Sequence, residues 1–485
     1  MERLSGLDAS FLYFETPTNH MHVAAVMVFD PSTMPGGYSF ERVKEFIGGR
    51  LHLIPQFRRR LVPVPFNLAH PVWIDDPDFD LDYHVRRIAA PAPGSPHELA
   101  DLAGDIASRQ LDRTRPLWEI WVIESLQQGH VGVVAKMHHC TIDGVSGANL
   151  MVHLFDLTPE PGPVEPGEWH PERKPSDLEL VAYAARSRVR RRLKLLQVVP
   201  GVARAAVSVA RRRRDPSTPS GATPLTAPRT SFNASITPHR KVAFTTVPLA
   251  DVKQVKNTFG TTVNDVVLAI CAGALRRYLS DGGELPDRPL VATCPISVRD
   301  DERAGAGPGS NKVSAMFVSL PTHIADPVER LLAIRESTKG AKEEHKAVGA
   351  RMLQELGEIA APTLFSLAAR LYSSMKLADR HPVAHNLVVS NVPGPPVPLY
   401  FAGARLVALH PLGPIFDGAG LNVTVLSYLD TIGFGFMACR ELLPRVWDLA
   451  TAVEEEASEL KKVAEKRAGA ARGATRRPAA RRGNP

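Results

Sequence analysis

The chain has 485 residues, is 44% hydrophobic and carries a formal net charge of +7. That length and apolar content suit two domains with real cores. No uncharged apolar stretch approaches the ~20 residues needed to span a bilayer, and no charged-then-apolar leader opens the chain, so neither a membrane span nor a secretory signal is expected.

The charge is uneven. Lys466 to Pro485 holds seven basic residues and no acid, and Arg186 to Arg214 holds eleven more, again without an acid. Removing those eighteen cations from +7 leaves the rest at −11. The body is acidic and the basicity lies in two patches. Cys140, Cys271, Cys294 and Cys439 sit in apolar contexts without CxxC spacing and read as buried free thiols of a reducing cytosol.

In chain order, Met21 to Phe29 predicts a buried strand and Phe40 to Leu51 a helix. His97 to Gln110 predicts a second helix, with Leu99, Leu102 and Ile106 at helical spacing. Trp118 to Ile123 and Val131 to Met137 read as strands, and Val145 to Phe155 as a helix. Pro159 to Pro175 is a Pro-rich connector. A basic amphipathic stretch follows from Asp177 to Arg214, broken at Pro200-Gly201. Asp215 to Pro238, rich in Ser, Thr and Pro, is expected to be mobile.

A second block opens near Arg240. Strands are predicted at Val242–Val247, Leu290–Ile296, Ala315–Leu320, Asn386–Ser390, Ala404–Leu409, Asn422–Tyr428 and Thr431–Met437. Helices are predicted at Leu249–Thr258, Val263–Leu279, Pro327–Lys346, Met352–Met375 and Trp447–Glu465. The expected organisation is a first domain (1–160), a connector with the basic segment (161–238), a second domain (239–465) and a disordered basic tail (466–485). Loose alternation of strands and helices indicates an α/β class of mixed α+β layers, not a doubly wound sheet. GxGxxG and GxxxxGK[ST] are absent, which argues against dinucleotide and phosphate-loop chemistry.

His138-His139-Cys140-Thr141-Ile142-Asp143-Gly144 is the most informative stretch. It places two imidazoles and a carboxylate on a strand-to-helix turn, where a scaffold can aim side chains into a cleft. A neutral imidazole takes a proton near neutral pH, a carboxylate can orient it, and Gly144 allows a tight helix entrance. The competing readings are a chance HxxxD and a metal pair, but a catalytic zinc needs a third ligand and none has obvious spacing.

Other segments are weaker alone. Pro116-Leu117-Trp118-Glu119 is either a core Trp beside a surface Glu or part of a cleft wall. Asn264-Asp265 opens a helix; capping explains one of the two and leaves the other free. Arg299 ends a strand, Asn311 lies in a polar turn, and Ser390-Asn391 ends a strand in a rigid turn. Arg58-Arg59-Arg60 is either a solvated face or the source of a partner for Asp143.

Together these motifs resemble a known family. They run in order as Leu4 to Phe11, PLWE, HHxxxDG, Asn264-Asp265, Pro295 to Arg299, Asn311 to Ser314, Ser390 to Pro395, and Gly420-Leu421-Asn422 through Ser427-Tyr428. The set is similar to the actinobacterial form of the bacterial wax ester synthase/diacylglycerol acyltransferase family, from about residue 3 to 465. HHxxxDG alone is shared more widely with chloramphenicol acetyltransferase-like enzymes, peptide-synthetase condensation domains and polyketide-associated acyltransferases. The DFGWG signature of the plant branch is missing, and the Arg-rich insert and tail depart from the pattern.

The resemblance implies two chloramphenicol acetyltransferase-like domains with a tunnel between them, and acyl transfer from acyl-CoA to diacylglycerol or a long-chain alcohol. It implies His139 as general base, His138 as a shaping residue, and Asp143 as a loop-holding residue paired with Arg58. Gly144, Pro116, Leu117, Trp118, Glu119, Asn264, Asp265, Arg299, Asn311, Ser390 and Asn391 are the expected substrate-site residues, with Asn264 the candidate oxyanion donor. No cofactor beyond acyl-CoA as substrate, no metal and no nucleic acid is expected. A cytoplasmic protein is expected, peripheral on the inner face of the plasma membrane or on lipid droplets. Val189, Leu193, Leu196 and Val199 lie near one helical face among arginines, as in an interfacial helix or a solvated inter-domain one. The alternatives are another CoA- or carrier-dependent acyltransferase of the same superfamily and a weakly active lipid-binding member.

Overall fold

Two six-stranded sheets and a small three-stranded sheet carry the architecture. The computed structural model describes residues 2–141, 151–162, 164, 165, 167, 169, 171–186, 221–297, 313–348 and 362–475. In the first large sheet the strands lie in the order Tyr400–Phe401, Ala404–Leu412, His22–Asp30, Val131–His138, Trp118–Glu124 and Val85–Ala89. In the second the order is Val313–Leu320, Leu290–Ser297, Leu387–Val392, Leu421–Tyr428, Thr431–Cys439 and Arg240–Pro248. The mixed α/β class expected from the sequence is thus realised.

Every residue of Val131–His138 is buried, so this strand is covered on both faces and its apolar run needs no alternation. In the second half, Val263–Asp281 is the central helix. Thr262 and Asp265 close a reciprocal cap at its start, and its apolar residues, Val266 through Leu279, fill the core cluster of that half. This helix and Leu249–Phe259 are together apolar enough for a membrane span, but they bend by 105° at their junction and no single described helix qualifies. All four cysteines are buried and unpaired by disulfides.

The strands of the second sheet all follow residue 239, but one segment of that half crosses to the first sheet. Ala404–Leu412, from the second half, pairs antiparallel with His22–Asp30 in the first, from Arg405 opposite Asp30 to Leu412 opposite Ala24. The crossing is tight. A Cβ on Gly433 would meet the Leu409 carbonyl oxygen at 2.3 Å, and one on Gly435 would meet that of Pro411 at 1.9 Å. Glycine at these two places lets the lent strand lie directly on Thr431–Cys439. Val26, Ile106, Val242, Phe244 and Met437 then form one core cluster shared by both halves.

Three expectations are corrected. The Ser/Thr/Pro-rich segment before residue 239 is a packed strap in its described part, not a mobile one. Phe232 and Asn233 are fully buried, and the Asn233 amide donates to the carbonyls of Asn386 and Gly418. Composition marks a loop there, but side-chain amides satisfy its backbone inside the protein. The C-terminal helix spans Val446–Thr475, overrunning the predicted tail, with the Arg467 guanidinium 5.1 Å from the centre of the Phe259 ring. The Arg58 to Arg60 cluster is not simply solvated. Arg59–Val62 is a strand of the small sheet, Arg60 meets Asp76 at 2.9 Å, and Arg59 meets Glu2 at 2.6 Å. Residues 177–186 of the basic segment are helical, and Leu180 and Ala184 pack with Val62 and Val72. Its remaining residues, including Val189, Leu193, Leu196 and Val199, lie outside the described residues.

The Gly435→Ala variant should lose about 1–3 kcal/mol of stability, as overpacked sites do, because the added methyl meets backbone rather than a movable side chain. Thermal unfolding measures this; an unchanged midpoint would show that the crossing tolerates the bulk.

Candidate active site

The strand Val131–His138 ends where its neighbour His22–Asp30 begins, and antiparallel register sets His22 directly opposite His138. One residue on, the His139 amide donates to the Met21 carbonyl at 2.8 Å. Successive strand side chains point to opposite sides, which separates the two imidazoles of the motif.

His138 goes inward and is buried. Its Nδ1 accepts from the Cys140 amide at 3.1 Å, which leaves the proton on Nε2. That atom lies 3.6 Å from Oε2 of Glu15, an ion-pair spacing that is long for a hydrogen bond. His22 Nε2 lies 3.6 Å from the other Glu15 oxygen. Arg113 completes the group, donating from Nε to Glu15 at 2.8 Å and from its terminal nitrogen to the Leu12 carbonyl at 2.9 Å. Burial pushes the Glu15 carboxyl up, but the two imidazoles and the guanidinium outweigh it and hold its pKa well below the ordinary carboxylate range. Burial lowers His138, and lowers His22 to about 3. The cluster therefore rests as one carboxylate, one guanidinium and two neutral rings.

His139 takes the other direction and is half-buried. Its ring stacks on Phe11 with centroids 4.0 Å apart and planes at 22°. Phe11 belongs to the helix Gly6–Phe14, which Ser5 caps by accepting from the Asp8 amide. Glu15 is the residue at that helix's C-terminal cap. One short helix thus carries both the ring under His139 and the carboxylate behind His138.

The PLWE segment supports the motif from the next strand. The Leu117 carbonyl accepts from the His138 amide at 3.0 Å. Trp118 is fully buried, stacked between Phe57 and His84 at 4.4 and 4.5 Å, and its Nε1 donates to the Phe57 carbonyl at 2.8 Å. Glu119 is buried against Lys136 at 3.2 Å. Pro116 and Leu117 are buried as well. The expectation that Trp118 and Glu119 line a cleft is corrected: their contacts are with the core, and they brace the strand that delivers His138.

Asn264 and Asp265 divide as their types suggest. Asp265 is buried, closes the helix cap and accepts from Thr338 at 2.7 Å, so it supports the helix. Asn264 is half-buried and its Oδ1 accepts from the Asn391 amide at 3.3 Å. The structure thereby joins two of the expected site residues from distant segments. Ser390, next to Asn391, is half-buried and opposite Thr424 in a parallel pair. Asp143, Gly144, Arg299 and Asn311 lie outside the described residues, and with them the expected Arg58–Asp143 pair. Arg58 itself sits 5.4 Å from the centre of the Trp169 ring, and burial lowers its pKa. Glu15, His22 and Arg113 are absent from the sequence-based list. His22, near the start of the predicted strand Met21–Phe29, was the one local signal, and only the folded sheet places that strand beside the one ending in His138. Among the described residues no group of three His, Cys, Asp or Glu side chains is placed to hold a metal.

Comparison with known proteins follows this geometry. The wax ester synthase/diacylglycerol acyltransferase catalytic domain matches residues 4–267, and the C-terminal domain of the same family matches residues 309–461. The chain belongs to the wax ester synthase/diacylglycerol acyltransferase family. A relative from Mycobacterium tuberculosis (strain CDC 1551), assigned by name as a diacylglycerol O-acyltransferase, is 42% identical over 464 residues, covering 95% of this chain and 90% of its own. A second from the same strain is 37% identical over 456 residues, covering 93% and 94%. Among solved structures, the family member from Marinobacter aquaeolei VT8 superposes with a TM-score of 0.66 at 28% identity, covering 96% of this chain and 100% of that one. The starter condensation domain of rhizomide synthetase, solved with C8-CoA and Leu-SNAC, gives 0.52 at 14% identity over 96% and 94%, a likeness of fold alone.

The buried histidines of this family member set a pH dependence. His22 stays neutral in the fold down to about 3, and His84, His385 and His410 down to about 4, all because burial disfavours the cation. In the unfolded chain they take protons near 6.5. Between those values the unfolded state binds more protons, so stability falls as pH falls. The thermal midpoint should drop steadily from pH 7 toward pH 4; a flat profile would contradict this account of the buried rings.

Proposed function

We propose that this chain transfers a long-chain acyl group from acyl-CoA to the hydroxyl of diacylglycerol, and to long-chain alcohols as alternative acceptors, with His139 as general base. The observation that carries the reading is the unequal pair at the end of Val131–His138. His138 is sealed into the Glu15–His22–Arg113 cluster, while His139 stays half-buried on Phe11. Of the two residues only His139 keeps solvent exposure, which favours it as the one to meet a substrate.

In this reading the thioester is already activated, so no covalent acyl-enzyme is required. The neutral His139 imidazole takes the hydroxyl proton as the oxygen attacks the thioester carbonyl. The tetrahedral oxyanion collapses, the carbon–sulfur bond breaks, and the imidazolium gives its proton to the departing CoA thiolate. The products are the ester and free CoA. Asn264 is the candidate oxyanion donor: with Oδ1 engaged by Asn391, its Nδ2 is the group left to face a developing negative charge. The acyl and lipid chains would run in an apolar tunnel between the two halves. The protein would work at a lipid surface, because its acceptors partition there.

The His139→Ala variant should lose roughly 10²–10⁴-fold in turnover, the usual scale for a general base, with its thermal midpoint and circular dichroism unchanged. Near-normal turnover in the folded variant would refute the assignment. Wild-type protein given labelled acyl-CoA with diacylglycerol and a long-chain alcohol in competition should form triacylglycerol as well as wax ester. Acylation of an acyl-carrier protein, with neither lipid used, would move the chain to the carrier-dependent branch of its superfamily.

A further inference from the structure

The helix Pro362–Ser374 packs against Gly6–Phe14, the helix that supports His139. Phe365 meets the ring of Phe14 at 4.7 Å and that of Tyr13 at 6.2 Å, and Ser373 meets Thr18 at 2.9 Å. Its outward side is apolar. Leu367, Leu371 and Met375 recur every four residues, so they stack on one face, and they are 52%, 47% and 51% exposed. Phe14, 46% exposed, lies on the other side of the helix, against Phe365. Soluble proteins rarely leave so contiguous a patch to water unless something covers it.

The surroundings indicate what covers it. From Pro362 to Ala378 the sequence holds Arg370 and Lys376 and no acid. The far end of the helix meets a cationic cleft, with the Tyr372 hydroxyl 2.5 Å from His381 Nε2. That open cleft, about 400 Å³, is lined by Arg229, Arg288, Arg380 and His381 among others. Arg229 is committed to the carbonyls of Asn233, Ala378 and His381. The lone carboxylate of the lining, Asp379, accepts from the Ser235 amide. Arg288 and Arg380 are exposed.

We propose that the Leu367–Leu371–Met375 stripe, with the cations Arg288 and Arg380, seats the protein on an anionic phospholipid surface. Apolar side chains would enter the acyl boundary while the guanidinium groups meet headgroup phosphates, the arrangement of an interfacial helix. The location gives it a purpose, and here the inference rests on the acyltransferase reading. The helix that bears the stripe packs on Gly6–Phe14, whose Phe11 lies under His139, so a water-insoluble acceptor would have one helix diameter, roughly 10 Å, to cross.

Flotation of the full chain with vesicles of phosphatidylglycerol and phosphatidylcholine tests this without turnover. Wild type should float with phosphatidylglycerol-containing vesicles. The Leu367→Ser/Leu371→Ser/Met375→Ser variant should bind them at least tenfold more weakly, and Arg288→Gln/Arg380→Gln should lose the preference for the anionic lipid. Both variants should keep wild-type turnover with acyl-CoA and a short, water-soluble alcohol, which separates a failed surface from a failed catalyst. Loss of vesicle binding in the triple variant supports the proposal even if the chain proves not to acylate diacylglycerol. Wild-type flotation of the triple variant overturns it. So does a wild type that ignores vesicles and sediments as a dimer while the triple variant sediments as a monomer, which would make this face a contact between copies.

Discussion

The antiparallel pairing of His22–Asp30 with Val131–His138 is the constraint on which the site depends. It sets His22 across from His138 and ties the His139 amide to Met21. With both neighbours in place, a carboxylate from the N-terminal helix can sit between two neutral rings and a guanidinium. A register slip of one residue would exchange the two faces, sending the sheltered imidazole outward and the half-buried one into the core. Nothing in the HHxxxDG heptapeptide enforces this; the strand beside it does.

The PLWE segment reads differently in that light. Its backbone holds His138 through Leu117, its Trp118 is clamped between Phe57 and His84, and its Glu119 neutralises the buried Lys136. These are expensive interactions to leave half-made, since a buried ammonium without its carboxylate is strongly unfavourable. The segment is therefore as exacting in composition as a binding motif while acting one layer back. The Asn264–Asp265 pair shows the same division within two residues: one closes a helix, the other reaches a distant strand.

Much of this was legible in the sequence. Apolar runs located the strands of both large sheets except the two edge strands Val85–Ala89 and Tyr400–Phe401, because buried strands need continuous β-branched and aliphatic residues and edge strands do not. The motif order located the family. The site's inner cluster was not legible, because Glu15, His22 and Arg113 come from segments that meet only after folding. Local composition also misled in a consistent direction. The strap around Phe232 and Asn233 looked mobile, and the Arg59–Val62 strand looked like a solvated cluster. In each case long-range pairing supplied partners that no local window contains. The crossing of Ala404–Leu412 to the first sheet was missed for the same reason: blocks contiguous in sequence need not be contiguous in a sheet.

The lent strand has a consequence for how such a chain can be divided. Cut between its halves, the N-terminal portion would keep its imidazoles but expose the full hydrogen-bonding margin of His22–Asp30, where Ala404–Leu412 belongs. A long, flat, apolar margin of that kind recruits other chains. The halves are thus bound to a common fate by more than their linker: they share a strand pairing and a core cluster, and each leaves the other's sheet or core incomplete when it is removed.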